Sequence, residues 1–407
     1  MSLSERLPGF LSVFAVRDYR LIWTGAFLSS IGTWIQDVAL SWLIHTRLGD
    51  PFYLGLRAFA SDVPLIAFML VGGALADRFD RRRILVASNL FQMSMAATLG
   101  ILYATGHLGI AAILVVAFFT GLAQSQSAPT YQAMLTTIVP GPQIPKAVAM
   151  NSLQFNLSRA IGPVLAGVLL ASLGAGACFA ANALSFVAVI GALLLVRLAP
   201  TPSSTVPESL GQSLGAGLRH VAASPPLLVL TFLAAAGSFL AFPLITYLPV
   251  IAGDVLKTGA AGYSWLLSSF GMGAIFGALA TAQRGRAEGR GRTLALAFCL
   301  YGASTLGAVL SRRQGIALVL LPIAGASLVT AFSTVNSLVQ ENAPDAMRGR
   351  VLSIFGLAFR GGMPVGSLLA GTLVAAFGAP WVIAAFCGIL VAIVGTTYFR
   401  SPVLRAM

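Results

Sequence analysis

Twelve long apolar runs alternate with short polar segments along the chain, and this alternation limits the possible folds more than any other feature. The runs span residues 20–44, 53–76, 84–104, 110–133, 147–172, 176–196, 226–252, 262–283, 293–311, 315–337, 351–376 and 380–399. Each can cross roughly 30 Å of hydrocarbon as a helix. The chain is 57% hydrophobic and only 9% charged, against roughly 25% charged in a soluble domain. The sequence therefore predicts an all-α membrane protein with twelve transmembrane helices.

The basic residues indicate which loops face the cytoplasm. The formal net charge is +13, and most of the 25 Lys and Arg residues lie at the chain ends and in alternate loops. An excess of Lys and Arg marks cytoplasmic loops. We therefore expect a multi-pass protein of the bacterial cytoplasmic (inner) membrane with both termini in the cytoplasm. The basic residues are thus explained by the orientation of the protein in the lipid bilayer, which is its expected partner, and no binding of nucleic acid is expected.

A short segment after the second run is nearly repeated half a chain later. Gly73 begins Gly-Ala-Leu-Ala-Asp, and Gly277, 204 residues on, begins Gly-Ala-Leu-Ala-Thr; arginines follow both. Gly121 and Gly325 show the same offset. This duplication predicts two pseudo-symmetric six-helix bundles. The expected parts are an N-terminal bundle at 1–197, a cytoplasmic linker with an amphipathic helix at 198–224, and a C-terminal bundle at 225–407.

The first copy of this segment carries a spaced set of glycine, acid and arginines at Gly73, Asp77, Arg78, Arg81 and Arg82. This set, with the two six-span halves, resembles the major facilitator superfamily, whose loop motif is G-x-x-x-D-R-x-G-R-R. Asp80 stands where the motif has its last glycine. The variant is similar to the branch that holds bacterial macrolide exporters and enterobactin-type siderophore exporters.

The resemblance implies the major facilitator fold and transport by alternating access. It further implies that Asp77 faces the N-terminus of the eleventh span, where the helix dipole favours an anion. That contact would close the cytoplasmic side, so this set is the expected gating motif. In the alternative interpretation, Asp77 and its arginines only cap helices and fix the topology.

A second motif lies in the fifth span, with a counterpart in the eleventh. Gly162, Pro163 and Gly167 resemble the core of the antiporter motif of drug/proton exporters, although its upstream glycines are missing. Glycines allow helix backbones to approach closely in a membrane, and Pro163 and Pro364 would bend their helices. We expect a helix interface at these positions; the alternative is lipid-facing kinks with no role in gating.

Four charged residues fall inside the apolar runs: Asp37, Asp62, Arg159 and Arg360. A charge near the bilayer centre costs roughly 2.5–3.5 kcal/mol on insertion scales, so each needs a partner or water. All four lie within about one to two helical turns of the same depth. They form either a structural salt-bridge cluster or a site where Asp37 or Asp62 carries protons. Since the first span usually lines the cavity in the family, Asp37 is the better candidate for protons or cargo. Asp62 is the better candidate for an ion pair with Arg360.

Uncharged polar residues complete the candidate proton and substrate site. Gln124 and Gln126 end the fourth span, and Asn336 lies at the corresponding end of the tenth. Such segments are too polar for a lipid face and should face a cavity or another helix. Trp34, near Asp37 in the first span, joins the expected site.

No Walker loop, nucleophile elbow or metal-binding cluster is present in the sequence. We therefore expect neither an enzyme nor catalytic residues, a metal or a cofactor. The predicted function is secondary active transport, as proton-coupled export of an amphipathic small molecule such as a drug or siderophore, by a monomer. Two alternatives stay open: an uptake or facilitated-diffusion carrier of the same fold, and a lipid flippase or scramblase.

Overall fold

A computed structural model describes residues 11–196, 210–284 and 289–407, with side chains except at 70–78, 210–213, 282 and 284. These ranges are almost wholly helical and contain no strand. The helices are α1 (Arg17–Leu43), α2 (Phe52–Arg78), α3 (Arg81–Ala104), α4 (Ile110–Ile138), α5 (Ile144–Ser172), α6 (Gly174–Leu195), α7 (Leu210–Ala223), α8 (Pro225–Ala241), α9 (Pro243–Val250), α10 (Gly259–Arg284), α11 (Arg290–Leu310), α12 (Gln314–Asn342), α13 (Arg348–Phe377), α14 (Ala379–Arg400) and α15 (Pro402–Ala406).

Eleven helical segments in the described ranges are long and apolar enough to cross a membrane. They are α2 to α6, the segment Pro225–Val255 that contains α8 and α9, and α10 to α14. α1 has 27 residues, enough for a crossing, but Gln36 and Asp37 make it more polar. With α1, the segments account for the twelve helices predicted from the sequence, and the all-α membrane fold is confirmed.

The chain divides into two compact units. The N-terminal unit comprises Met1–Leu43 and Val63–Thr205, and the C-terminal unit comprises Ile44–Asp62 and Val206–Met407. Residues 44–62 therefore group with the second half of the chain, although the sequence gives them to the first bundle. The expected boundaries at the linker stay a prediction, because residues 197–209 lie outside the described ranges.

Small residues hold the helices of the N-terminal unit close together. A Cβ on Gly25 would lie 2.9 Å from the Ala188 carbonyl oxygen, so α1 and α6 nearly touch there. Further along the same contact, the Asn182 amide donates a hydrogen bond of 2.9 Å to Gln36 Oε1, and both side chains are buried. The hydrophobic effect does not drive helices together inside a membrane. Close packing and buried hydrogen bonds of this kind stabilise the bundle instead.

Small residues also allow close packing between α8 and α13 in the C-terminal unit. A Cβ on Gly366 would lie 2.0 Å from the Phe239 carbonyl oxygen, and one on Gly362 would lie 2.1 Å from Ser238 Oγ. Pro364 lies between these glycines inside α13 and is buried. The two helix backbones are therefore in direct contact over a full turn.

Residues 44–62 pack into the C-terminal unit through glycines and one tyrosine. The Tyr247 hydroxyl donates to the Ser367 carbonyl oxygen at 2.7 Å, and a Cβ on Gly55 would lie 2.4 Å from that hydroxyl. A Cβ on Gly371 would lie 3.1 Å from Phe52 Cα. His45 Nε2 lies 3.5 Å from an Asp254 carboxylate oxygen in the same unit. These contacts explain why the segment belongs to this unit.

Candidate transport site

A polar cavity of about 310 Å³ lies inside the N-terminal unit among α1, α3, α4, α5 and α6. Its wall is rich in hydroxyls and side-chain amides, and none of its described lining residues carries a formal charge. The amides are Asn89, Gln92, Gln124, Gln132, Asn151 and Gln154. The cavity can therefore bind a polar group through hydrogen bonds without requiring a charge of either sign.

Two buried polar atoms in this wall lack a hydrogen-bond partner among the described residues. They are the Tyr131 hydroxyl and Gln154 Oε1. A buried polar atom without a partner costs about 1–3 kcal/mol. Both atoms are themselves buried, so this cost belongs to the packing of the wall, and the accessible amides are the groups that a molecule in the cavity can reach.

Trp34 and Arg159 meet beside this cavity. The guanidinium carbon of Arg159 lies 5.8 Å from the centre of the Trp34 ring, and Arg159 is buried. Trp34 also contacts Phe155, which lines the cavity, in an edge-to-face arrangement with ring centres 6.5 Å apart. Asp37 is half-buried one turn further along α1. The stacked guanidinium and the nearby carboxylate are the charged groups that a mechanism in this unit can use.

Gly162 sets the distance between α1 and α5 at the same place. A Cβ there would lie 2.4 Å from Trp34 Cβ. Pro163 and Gly167 lie inside α5 and are buried. The sequence placed these residues at a helix interface, and α1 is the helix that Gly162 contacts.

The two predicted glutamines of α4 have different surroundings. Gln124 lines the cavity. Gln126 donates instead to Ser125 Oγ at 3.1 Å, while its own Oε1 is buried without a described partner. Two positions along a helix are turned about 200° apart, so both side chains cannot face one cavity.

The C-terminal unit contains a phenylalanine cluster. Phe332 on α12 and Phe359 on α13 make an edge-to-face contact with centres 4.7 Å apart. Phe298, Phe242 and Phe355 extend the cluster through contacts of 5.6 to 6.4 Å. Aromatic pairs of this kind contribute about 0.5–1.5 kcal/mol each beyond the area they bury. Phe298 and Phe355 are buried, and Phe242, Phe332 and Phe359 are half-buried, so only part of the cluster is accessible.

Asn336, the predicted polar residue of α12, lines a separate polar cleft of about 690 Å³. Glu341 and Arg348 also line it. Arg290 holds Glu341 with both guanidinium amino groups, one of them at 2.8 Å. The cleft therefore lies beside the Arg290–Glu341 ion pair, and Asn336 is exposed in its wall.

The remaining charged candidates belong to the C-terminal unit. Asp62 is half-buried near the middle of α2, and Arg360 is exposed on α13. Asp37 and Arg159 belong to the N-terminal unit. The structure thus brings Arg159 to Trp34, whereas the four-residue cluster and the Asp62–Arg360 pair stay predictions.

The basic hairpin between α2 and α3 is described from Phe79 onward. The Asp80 carboxylate caps α3 by accepting from the backbone amides of Arg82 at 2.8 Å and Arg83 at 3.3 Å. Arg81 donates to the Ala133 carbonyl oxygen at 3.1 Å, and Arg82 donates to that of Leu194. The two arginines therefore tie the start of α3 to the ends of α4 and α6. The side chains of Gly73, Asp77 and Arg78 lie outside the described set.

The whole chain matches one protein family. The family described as transmembrane secretion effectors, a branch of the major facilitator superfamily, matches residues 9–407. The chain belongs to this family. It is a multi-pass membrane transporter, and its relatives and its fold are those of transporters, not enzymes.

Characterised relatives of this transporter are exporters and a siderophore transporter. A staphyloferrin A transporter from Staphylococcus aureus is 26% identical, over 88% of this chain and 90% of its own. The multidrug efflux pump Tap from Mycolicibacterium fortuitum is 28% identical, over 93% and 92%. Macrolide efflux protein A from Streptococcus pyogenes is 23% identical, over 86% and 87%. The resemblance to macrolide and siderophore exporters is confirmed.

Solved structures agree with the fold. A bacterial homologue of the human lysosomal transporter Spinster superposes with a TM-score of 0.75 at 15% identity, over 96% of both chains. A D-xylose–proton symporter gives 0.75 at 14% identity, over 95% of this transporter and 99% of the symporter. At these identities the likeness concerns the fold alone.

Most of the cavity wall of the transporter was not predicted from the sequence. Asn89 and Gln92 are three residues apart on α3, as are Asn151 and Gln154 on α5. Residues at this spacing share a helix face. A search for pairs of amides at helical spacing within apolar runs would have found both; the phenylalanine pair Phe355 and Phe359 shows the same kind of signal.

Proposed function

We propose that this transporter exports an amphipathic small molecule from the cytoplasm in exchange for protons, by alternating access. The observation that carries the proposal is the uncharged, amide-lined cavity of the N-terminal unit. The relatives named as multidrug and macrolide efflux proteins support the outward direction.

The cargo class follows from the surfaces that each unit offers. The cavity wall contains six side-chain amides and an unpartnered glutamine oxygen. The C-terminal unit offers phenylalanine rings instead. Neither surface selects by charge. The cavity favours the binding of groups that form hydrogen bonds, and the rings favour the binding of flat apolar groups. A molecule with a polar side and an apolar side suits both.

Asp37 is the proposed proton carrier. It is half-buried on α1, one turn from Trp34, whose ring contacts the Arg159 guanidinium. A carboxylate that carries protons must exchange a charged partner for a proton during the cycle. The nearby arginine is a cation of the required kind. Asp62 has the structural role in this proposal, as an ion-pair partner of Arg360.

The proposed topology and gate follow the sequence. Both termini lie in the cytoplasm, the protein resides in the inner membrane as a monomer, and the basic hairpins face the cytoplasm. Asp77 closes the cytoplasmic side through the helix dipole of α13. The fixed contacts of Arg81 and Arg82 support this role, because they anchor the hairpin to α4 and α6.

Inside-out membrane vesicles test the proposal. Inside-out vesicles that contain the transporter should accumulate a radiolabelled macrolide or a fluorescent lipophilic dye when their lumen is acidified. Accumulation should stop when a protonophore removes the gradient. Uptake that persists unchanged without the gradient would support facilitated diffusion, and accumulation only in right-side-out vesicles would support an importer. A fluorescent phospholipid in the same vesicles tests the flippase alternative, which requires its transfer between leaflets.

A further inference from the structure

The C-terminal unit has a lateral groove that the proposed transport mechanism does not use. The groove has a volume of about 780 Å³ and lies among α10, α11 and α12. Phe276, Leu296 and Leu300 line it and are 62%, 57% and 51% exposed. All three helices are membrane-spanning segments, so side chains this apolar and this exposed contact hydrocarbon in the bilayer.

Small residues form the floor of the groove. Gly277, Ala280 and Ala326 line it, and a Cβ on Gly277 would lie 2.3 Å from the Ala326 carbonyl oxygen. α10 and α12 therefore touch along their backbones, while the larger side chains stand at the sides. A groove with apolar walls above a floor of small residues can accommodate a hydrocarbon chain.

One end of the groove is polar and positively charged. Arg292 lines it and is exposed, together with Thr281 and Thr293. The neighbouring Arg290 is already paired with Glu341, whereas no ion pair joins Arg292 to a carboxylate among the described residues. The hydroxyls of Thr281 and Thr293 donate to backbone carbonyls of their own helices. Arg292 is thus the group at this end that can attract an anion.

We propose that this groove binds one anionic phospholipid, with an acyl chain over Gly277 and Ala326 and the phosphate at Arg292. The charge at one end and the hydrocarbon-facing walls along the rest match the two parts of such a lipid. A basic residue near a membrane surface attracts anionic lipid, and the adjoining basic loop is the kind that faces the cytoplasmic leaflet.

The length of the groove separates a bound lipid from a lipid pathway. Arg292 and Leu300 are eight residues apart on α11, which corresponds to about 12 Å along the helix. The hydrocarbon core is roughly 30 Å thick. The lining also includes Gly289, so the groove is about as long as one leaflet is thick and holds a lipid in place, whereas a flippase would need a path across both leaflets.

Native mass spectrometry of the purified full-length transporter tests the site. The probes are dioleoyl phosphatidylglycerol and dioleoyl phosphatidylcholine, each titrated alone and with inorganic phosphate as a competitor. We expect Arg292→Gln to weaken phosphatidylglycerol binding by about fivefold, the effect of one basic residue near a surface. Ala280→Trp should remove one bound phosphatidylglycerol, because Ala280 is exposed in the groove.

Matched controls use exposed positions elsewhere. Arg219→Gln removes a charge from α7, and Ala392→Trp adds an aromatic ring to α14; both residues are exposed. Neither change should alter binding. Equal losses in the test and control variants would overturn the proposal, as would equal binding of the two lipids to the wild-type protein. Full competition by inorganic phosphate would show a free-anion site instead of a lipid site.

Discussion

The fourth and tenth membrane helices occupy equivalent places in the duplicated chain, yet they present different chemistry. Ala128 and Gln132 of α4 line the polar cavity. The residues 204 positions later are Phe332, which lies in the aromatic cluster, and Asn336, which lies at an ion-paired cleft. Equivalent positions in the two halves of the duplicated chain thus carry different side chains. The N-terminal unit offers hydrogen bonds, and the C-terminal unit offers ring surfaces.

The largest expected effect concerns coupling, which we propose to lie in the N-terminal unit. Asp37→Asn should abolish export driven by a pH gradient while cargo–cargo exchange survives, because a side-chain amide has no protonation equilibrium near neutral pH and cannot carry a proton as a carboxylate can. Efflux and exchange in proteoliposomes at controlled pH measure both. The matched control is Asp254→Asn in the C-terminal unit, where the carboxylate is 64% exposed beside His45, and it should stay coupled. If Asp37→Asn still concentrates cargo, Asp62 becomes the candidate.

The two basic hairpins should also be unequal. Asp77→Ala should reduce export about tenfold, because an anion facing a helix N-terminus contributes up to ~2 kcal/mol. Thr281, its counterpart, donates to the Gly277 carbonyl oxygen within α10 at 2.8 Å, so Thr281→Ala should change export by less than about twofold. Transport rates measured at matched expression test this difference.

Asp77→Asn should also raise the labelling of a reporter cysteine placed at Gln124. Unchanged labelling would leave Asp77 with a topological role only.

Stability should test whether the close helix contacts are equivalent in the two units. Gly366→Ala places a Cβ 2.0 Å from a backbone oxygen of α8, and Gly162→Ala places one 2.4 Å from Trp34 Cβ. Overpacking of this kind costs about 1–3 kcal/mol, with the larger loss expected at Gly366. Gly361→Ala is the control, since open space surrounds it, and it should be neutral or stabilising by up to ~1 kcal/mol. Apparent melting temperatures in detergent measure the order; a reversal would show that α1 and α5 are the more rigid pair.

The smallest effect should appear in cargo preference. Gln124→Leu removes a half-buried amide that lines the cavity, and the loss of one hydrogen bond, about 0.5–1.5 kcal/mol, should slow export of a hydroxyl-rich macrolide several-fold. Phe359→Leu removes ring contacts worth about 0.5–1.5 kcal/mol and should chiefly slow export of a planar apolar dye. Each variant is measured with both cargoes. Equal slowing of both cargoes by both variants would contradict the division of roles.

The sequence predicted the membrane fold and the family because these depend on long, additive signals. The twelve apolar runs and the repeat of the Gly73 segment at Gly277 stay recognisable even where single residues depart from the pattern. The cavity was harder to predict, because its amides lie in pairs on three separate helices and form one wall only when the five helices pack together. Gln124 and Gln126 show this limit: the polarity of their segment was evident, but the side that faces the cavity depends on helix rotation.

Charged residues show a second limit. Depth along a helix can be counted from the sequence, so the similar depth of Asp37, Asp62, Arg159 and Arg360 was accessible. Their lateral positions were not, because these depend on how helices pack. The ring of Trp34 against Arg159 joins two residues 125 positions apart. No spacing rule connects such residues.

The packing of residues 44–62 sets a condition on recombining proteins of this kind. Phe52 and Gly55 fit against Tyr247, Ser367 and Gly371, which come from the second half of the chain. A chimera made by joining the first half of one homologue to the second half of another would mismatch these surfaces, even with the junction in the linker. Fragment complementation should therefore succeed best when residues 44–62 and the second half come from the same parent.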